Sequence, residues 1–261
     1  MCPRGAKLLT GEGSLLGEAT LVAHCLLIET GDDLVLVDTG FGTKDVADIK
    51  RLNAPFRAMV RPKPSADEPA TKQIEKLGLD PKAVKHIAIT HLDLDHAGGL
   101  HDFPDAQVHV NKPELDHAMN PPRMEQLRYA KVQWEHGPKW QTHEPGGDKW
   151  FGFDSVQLLP GVDGEIALIP LPGHTKGHAG IAINTPDGWL LHCGDAYFHR
   201  DEMATPPSTP PGLVAFERMN DHDTKTRKQN QERLRELARD HGAEVRLINA
   251  HDPHLLPGFA A

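Results

Sequence analysis

Five apolar runs along the chain stop at a histidine or an aspartate, often beside glycine. They end in "LVDTG", "HIAITHLDLDH", "PLPGHTKGH", "HCGDAY" and "NAHDP". Short apolar runs predict buried strands, and a loop at a strand end can aim its side chains into a common cleft while the strand holds the backbone. The pattern therefore predicts a sheet protein with one polar cleft, which gathers Asp38, His91, Asp93, Asp95, His96, His174, Asp195 and His251.

Imidazoles and carboxylates gathered in one cleft repel and desolvate one another unless cations compensate them. Taken alone, "HLDLDH" favours metal binding only slightly over a polar loop with capping aspartates. The other motifs are weak signals alone, since glycine–histidine pairs, for example, are common in turns. The ordered set of five motifs is what favours a metal centre. Two metal ions are the simplest compensation for so many donors.

The remaining pattern predicts a mixed α/β protein with a single domain over residues 1–261. Segment 51–72 is polar and contains proline, and 205–211 is predicted to be a proline-rich loop. Strand and hairpin signals predict a hairpin of strands at 24–30 and 34–40, strands at 84–90 and 106–111, three strands between 165 and 195, and a last strand before His251. Helical spacing and stop signals predict helices at 71–79, 113–119 and 224–241.

An excursion at about 112–153 is predicted to lie over the cleft. Its part 120–150 is irregular and rich in Trp, His, Pro and Gly, and long loops in compact domains are usually functional or disordered. Trp134, His136, Trp140 and Trp150 are candidates for the wall of an apolar substrate pocket. Anchoring of the loop, or a dimer contact, is the alternative role for the tryptophans.

Composition excludes several classes of protein. The formal net charge is −9 and there is no basic run, which argues against nucleic-acid binding. The three cysteines form no CxxC pair, so neither a disulfide framework nor a cysteine zinc site is expected. No apolar stretch approaches the roughly 20 residues of a membrane span, and the N-terminus lacks a signal-peptide core. We expect a cytoplasmic protein that acts on a small molecule, without nucleic-acid or membrane partners, and a homodimer is compatible with this.

The five motifs together resemble the metallo-β-lactamase superfamily, over about residues 25–251. That pattern is an aspartate after an early strand, then HxHxDH, a downstream histidine, a bridging aspartate and a late histidine. The resemblance implies an αβ/βα four-layer sandwich with a dinuclear metal centre at one edge of the sheets. By position it implies a first ion held by His91, Asp93 and His174, a second held by Asp95, His96 and His251, Asp195 bridging both, and Asp38 orienting a ligand.

Asp93 departs from that pattern, because the superfamily has histidine there. An aspartate adds a negative charge and a hard oxygen donor, which favours harder cations. Flavodiiron proteins of the superfamily place a carboxylate at this position and bind iron. Zinc is the first expectation for the two ions, and the aspartate at position 93 makes iron or manganese the second. The alternative is that Asp93 does not reach the metal, which would leave one strong site and one weak site.

The flanking residues "HLDLDHAGGL", "PLPGHTKGHAG" and "GDAYF" look most like the N-acyl homoserine lactonase branch. In that branch a tyrosine shortly after the bridging aspartate helps hold the substrate carbonyl. Tyr197 is the matching residue here, although its offset from Asp195 is one residue short, and a packed aromatic with a hydrogen-bonded hydroxyl is its alternative role. Asp95 and Tyr197 are the predicted catalytic residues.

The implied function is hydrolysis of a lactone or ester with a small, partly apolar substrate, by a hydroxide shared between two ions. A phosphodiesterase of the same fold would need a cationic surface, which the acidic balance disfavours. A glyoxalase II-like thioesterase would need basic residues near the cleft, and the segment 200–230 offers Arg200, Lys225, Arg227 and Lys228. A non-catalytic, metal-bound binding or regulatory module is the alternative from a different class.

Overall fold

The computed structural model describes residues 1–31, 33–144, 146–157 and 165–256. Its described strands form two five-stranded sheets and a two-stranded ribbon. The strands are β1 (Leu26–Thr30), β2 (Asp33–Val37), β3 (Val84–Ala88), β4 (Gln107–Asn111), β5 (Lys139–His143), β6 (Lys149–Trp150), β7 (Phe153–Asp154), β8 (Val156–Gln157), β9 (Ile166–Pro170), β10 (Ala179–Thr185), β11 (Gly188–His192) and β12 (Val245–Ile248).

The first sheet has the order β1-β2-β3-β4-β5 and the second β12-β11-β10-β9-β8, while β6 and β7 form the ribbon. In the first sheet β1 is antiparallel to β2 and the other pairs are parallel. In the second sheet only the β11–β12 pair is parallel. The α-helices are α1 (Ala6–Leu9), α2 (Thr43–Ala47), α3 (Ala54–Val60), α4 (Ala70–Lys76), α5 (Lys112–Met119), α6 (Pro211–Asn220) and α7 (Thr224–His241).

Alternation of side chains along the strands builds three apolar layers. Val35 and Val37 of β2 pack with Leu168 of β9 in a buried cluster between the two sheets. Leu34 and Leu36 of β2 point the other way, because successive side chains of a strand face opposite sides. They join the cluster under α4 and α5, and the far face of the second sheet packs against α7. The layers are thus helix, sheet, sheet and helix, which confirms the predicted four-layer α/β sandwich.

The hairpin, the central strands and the long helix α7 lie where the sequence predicts them. Asp223 caps α7 by accepting hydrogen bonds from the N–H groups of Lys225 and Thr226, and Gly242 follows its last residue, as predicted. Within the described ranges, no helix is both long enough and apolar enough to cross a bilayer.

Several elements were not predicted, among them α3, α6 and β5. Helix α3 begins inside the polar segment, where Asn53 accepts a hydrogen bond from Phe56 N–H and Pro55 occupies the first turn. Helix α6 starts at Pro211, so prolines that looked like a loop in fact open a helix, a position where proline is favoured. Strand β5 lies in the part of the excursion interpreted as irregular, and its mostly exposed side chains give no apolar alternation.

Candidate metal centre

The predicted cleft forms where strands of both sheets end. Asp38 follows β2 in a left-handed backbone conformation, with φ of 53°. Its Oδ1 accepts a hydrogen bond of 2.7 Å from Thr90 N–H, and its Oδ2 one of 2.8 Å from Thr90 Oγ1. Its Oδ2 also lies 2.8 Å from His96 Nδ1. Asp38 therefore ties the end of β2 to the loop after β3 and orients His96, the kind of role expected for it.

One half of the centre comprises His91, His174 and Asp195, whose donor atoms all lie within 4.8 Å of one another. Asp195 Oδ2 lies 3.3 Å from His174 Nε2 and 3.7 Å from His91 Nε2. All three residues are at most 3% exposed. We call this group half A.

The other half comprises Asp95, His96 and His251, which satisfy the same distance limit. His251 Nε2 lies 3.8 Å from Asp95 Oδ2, and its Nδ1 lies 2.6 Å from the Val22 carbonyl oxygen. We call this group half B. Asp195 lies between the halves, because its Oδ1 is 3.2 Å from His96 Nε2 and its Oδ2 is 3.1 Å from His251 Nε2.

The donor set fits metal ions. The Nε2 atoms of His91 and His96 and the Oδ1 of Asp195 are buried and have no hydrogen-bond partner among the described residues. Buried polar atoms are almost always paired, so these three orphaned atoms need a cation or a solvent molecule. Imidazole nitrogens and carboxylate oxygens are the donors that zinc prefers in hydrolases.

The charges of the cluster reinforce this fit. Burial on its own would raise the pKa of Asp195, but His251, His96 and the other imidazoles outweigh it and hold that pKa well below its usual value. Burial would likewise lower the pKa of His96, but Asp195 and Asp38 outweigh it and hold the pKa well above its usual value. Both shifts show that the carboxylates and imidazoles of the cluster interact strongly. A bound cation can balance the charge of the carboxylates in place of a proton.

Arg128, in the excursion, was missed by the sequence analysis. Its guanidinium donates hydrogen bonds to both carboxylate oxygens of Asp93, from Nε to Oδ1 at 2.6 Å and from Nη2 to Oδ2 at 2.7 Å. Nη2 also donates to His174 Nε2 at 2.7 Å, and Nη1 donates to the carbonyl oxygen of Asn220. For His174 Nε2 to bind a cation, Arg128 must first withdraw from it. The only signal for this pairing in the sequence is that an extra aspartate in the cluster needs a counter-charge.

Asp93 lies beside half A, with Oδ2 3.0 Å from His174 Nε2 and 3.4 Å from His91 Nε2. Both of its oxygens are already bonded by Arg128, and it does not belong to either three-residue group. Burial, opposed by Arg128 and His91, leaves the pKa of Asp93 well below its usual value. This placement favours the alternative in which Asp93 balances the centre without binding a metal.

Glu114 of α5 is a second residue that the sequence analysis missed. Its fully buried carboxylate accepts hydrogen bonds from Leu92 N–H at 3.0 Å, Thr175 Oγ1 at 2.6 Å and Gly177 N–H at 3.0 Å. A Cβ at Gly177 would lie 2.0 Å from the Glu114 nitrogen, so only glycine allows this approach. Glu114 thus holds the "HLDLDH" loop and the His174 loop together.

A cavity of about 240 Å³ opens onto the centre. Asp93, Asp95, His174, Asp195 and His251 form its floor. Its wall is largely apolar and comes from α3, the excursion, α6 and the loop after β11; the side chains include Phe56, Met59, Met124, Leu127, Phe198, Phe216 and Met219.

Comparison with known proteins decides the family. The metallo-beta-lactamase superfamily model matches residues 20–245. The chain belongs to the metallo-beta-lactamase superfamily. It is 43% identical to a probable metallo-hydrolase of Mycobacterium tuberculosis, over 90% of this chain and 76% of that protein. It is 30% identical to the N-acyl homoserine lactonase AttM of Azorhizobium caulinodans, over 74% of this chain and 67% of that protein.

The fold agrees with solved structures of the superfamily. The solved structure of AidC, a dizinc quorum-quenching lactonase in complex with the product N-hexanoyl-L-homoserine, superposes with a TM-score of 0.63 at 17% identity. The superposition covers 99% of this chain and 85% of AidC. The curated relatives support a metallo-hydrolase of the superfamily, and the likeness to AidC shows the shared fold.

Two expectations concern aromatic residues: the catalytic role of Tyr197, which the resemblance implies, and the pocket wall assigned to the tryptophans of the excursion. Tyr197 is 1% exposed, packs in the apolar cluster beneath α7 and is absent from the described lining of the cavity. The packed-aromatic role is thus the one its position favours. The neighbouring Phe198 lines the cavity instead and stacks on His251, with ring centroids 4.9 Å apart.

The excursion contributes to the cavity, but through other residues than the tryptophans. Trp134 and Trp150 are buried in the clusters on the outer faces of the two sheets, and Trp140 packs against the first of these clusters. None of the described lining residues is a tryptophan or His136. The tryptophans therefore anchor the excursion, which was the alternative, and the expectation that they wall the pocket is wrong.

Proposed function

We propose that the chain is a metal-dependent hydrolase that opens lactones or cleaves esters carrying an apolar acyl group. The observation that carries the proposal is the cavity itself, because a floor of buried donors lies beneath a wall of phenylalanine, methionine and leucine side chains. Ligand pockets combine apolar walls with a few convergent polar groups in this way. The lactonase relative supports the substrate class.

The proposed ligands are those of the two halves, with Asp195 as the bridge and zinc as the metal. Two ions bound there would supply a nucleophilic hydroxide at neutral pH and polarise the carbonyl group. His96 and His251 are oriented for this role by Asp38 and by the Val22 carbonyl oxygen. Such outer hydrogen bonds fix the ring orientation and the tautomer of ligand histidines.

Asp95 is the residue we propose to carry the proton. Its carboxylate lies in the floor of the cavity beside Asp195, within reach of a substrate. A carboxylate there can accept the proton of the attacking water and pass it to the leaving alkoxide, so the proton never has to cross the apolar wall.

The charges that line the cavity select against phosphodiesters and glutathione thioesters. Arg128 is the only arginine or lysine among the described lining residues, and Asp93 neutralises it. Arg200, from the basic set considered for a thioesterase, is instead paired with Asp252 and Glu12. A neutral substrate with an apolar tail fits this lining better than an anionic one.

The test is a panel of acyl lactones with increasing chain length, measured on zinc-loaded protein. Each buried methylene contributes about 0.8 kcal/mol, so kcat/KM should rise up to about fourfold per methylene until the cavity is filled. Met219→Ser should reduce that increment, because Met219 lines the cavity and is 68% exposed, so the change leaves the core intact. Leu77→Ser is the matched control, since Leu77 is 65% exposed and lies outside the cavity.

Rates that do not depend on chain length, or faster cleavage of bis-(p-nitrophenyl) phosphate than of any lactone, would contradict the proposed substrate class. No turnover on the whole panel by fully metal-loaded protein would favour the binding-module alternative.

A further inference from the structure

A third cluster of metal-binding side chains lies outside the centre. His117 in α5, Glu125 in the excursion and His222 between α6 and α7 have donor atoms that all lie within 4.8 Å of one another. We call them the rim triad, because Glu125 lines the mouth of the cavity. His117 Nε2 is 2.8 Å from Glu125 Oε2, and His222 Nδ1 is 3.0 Å from Glu125 Oε1.

The rim triad has the donors of a divalent transition-metal site. Two imidazole nitrogens and one carboxylate are a common three-ligand set, and a water molecule completes the coordination. Neighbouring donors of a tetrahedral zinc ion lie roughly 3.3 Å apart, given metal–ligand bonds of about 2.0–2.1 Å. The two histidine–carboxylate separations are a few tenths of an ångström shorter than this, and the three donor atoms all lie within 4.8 Å of one another, so rotations of the side chains could bring them around one ion.

The charge of Glu125 is balanced by the two imidazoles of the rim triad. Within the described part of the chain, the ion-pair contacts of Glu125 are those with His117 and His222. Burial opposes the effect, but these two imidazoles still hold the pKa of Glu125 below its usual value. The side chain of His117 is 9% exposed and that of His222 is 31% exposed, so the triad has a packed side and a side open to incoming ions.

The backbone joins the rim triad to the main centre. His222 N–H donates to the His174 carbonyl oxygen at 2.9 Å, and Asp223 N–H donates to that of Gly173 at 2.8 Å. On the other side, Arg128 N–H donates to the Glu125 carbonyl oxygen at 3.0 Å. A cation at the triad would therefore bind together the two segments that carry His174 and Arg128.

We propose that the rim triad is a separate binding site for a divalent transition-metal ion, with zinc as its natural occupant. The ion fastens the excursion to the loop before α7 and so fixes one side of the cavity mouth. This site does not depend on the hydrolytic function, because its donors differ from those of both halves of the centre.

The test compares metal binding of the wild type with His222→Ala and Glu125→Gln. Each protein is titrated with Co²⁺ after the main centre has been loaded, and bound metal is counted together with the cobalt ligand-field spectrum. At Co²⁺ concentrations that just saturate the rim triad of the wild type, we expect the wild type to bind one equivalent more than either variant. The affinity of the rim triad for Co²⁺ should fall at least about tenfold when one of its three ligands is lost. The readout is the difference between proteins, so it holds whatever the main centre contains.

His241→Ala is the matched control. His241 forms a similar surface pair with Glu244, at 2.9 Å, and belongs to no described three-residue group. It should bind as much metal as the wild type. Hydrogen exchange gives a second readout, because added Co²⁺ should slow exchange around residues 120–130 in the wild type and in His241→Ala but not in the triad variants. Equal stoichiometry in all four proteins, with no metal-dependent protection, would show that the rim triad is only a hydrogen-bonded cluster.

Discussion

The two halves of the candidate metal centre differ in the groups to which their histidines are bonded. In half B, His96 and His251 are oriented by Asp38 and by the Val22 carbonyl oxygen. In half A, the guanidinium of Arg128 donates to His174 Nε2 and neutralises the neighbouring Asp93. Half B is thus arranged to receive a cation directly, whereas in half A a cation has to displace a positive charge that is already present. We therefore expect half B to bind metal more tightly than half A.

The largest effect should come from the residue that both halves share. Asp195→Ala removes the carboxylate between them and should empty both halves. Loss of a group that only orients a ligand typically lowers metal affinity or activity about 10–100-fold. Loss of the bridging carboxylate should therefore lower kcat/KM by at least about a hundredfold. Metal content and kcat/KM on an acyl lactone measure this. Asp187→Ala, in an exposed turn, is the control. Full activity of metal-free protein would contradict the dinuclear centre itself.

Removal of the guanidinium should change half A alone. Arg128→Ala leaves the carboxylate of Asp93, whose side chain is 14% exposed, without its partner, which should destabilise the metal-free protein by about 2 kcal/mol. A bound cation can replace that charge, so saturating zinc should remove most of the deficit and half A should bind zinc more tightly. Urea unfolding with and without zinc measures both effects.

The double variant Arg128→Ala/Asp93→Asn removes both charges and serves as the control. It should recover most of the stability of the metal-free protein. An equal deficit with and without zinc in Arg128→Ala would mean that Arg128 does not compete with a cation in half A.

The converse variant should affect half B. Asp38→Asn keeps the shape of the side chain but weakens its hydrogen bond with His96 Nδ1, which is 2.8 Å long. We expect the affinity of half B for zinc to fall about 10–100-fold, while that of half A changes little. Competition with a chromophoric chelator resolves the two affinities. A loss confined to half A would reverse the comparison.

The smallest expected effect concerns the choice of metal. Asp93→His restores the usual superfamily residue and replaces a hard anionic oxygen with a neutral imidazole, so metal content should shift modestly toward zinc and away from iron and manganese in identical medium. Elemental analysis measures the ratios. Identical ratios in wild type and variant would show that the side chain at position 93 does not influence the choice of metal.

The floor of the site could be predicted because its chemistry is local. A proposed ligand such as His174 comes shortly after an apolar run, and the end of the strand fixes where it points. The Asp93–Arg128 pair could not be predicted, since its partners are 35 residues apart and belong to a loop and an irregular excursion. The sequence indicates that Asp93 needs a counter-charge but does not specify which arginine supplies it.

The wall of the cavity was also beyond the sequence analysis. Helices α3 and α6 are short and begin beside prolines, so they contain too few apolar residues for a helical spacing to be recognised. The choice between Tyr197 and Phe198 depends on the direction of neighbouring side chains in one short loop. A shift of one position there decides which aromatic faces the substrate, and no periodicity exists in a loop to predict it.

The arrangement that Glu114 holds together has a consequence for how the protein matures. The loop after β3 belongs to the first sheet and the loop before β10 to the second, and Glu114 bonds to both. Half A and half B likewise each draw donors from both sheets. Neither half exists as a chelating site until the sheets have docked, so a nascent chain cannot be metallated from its N-terminal portion alone. The proposed metal centre would therefore be filled only after the two sheets have docked.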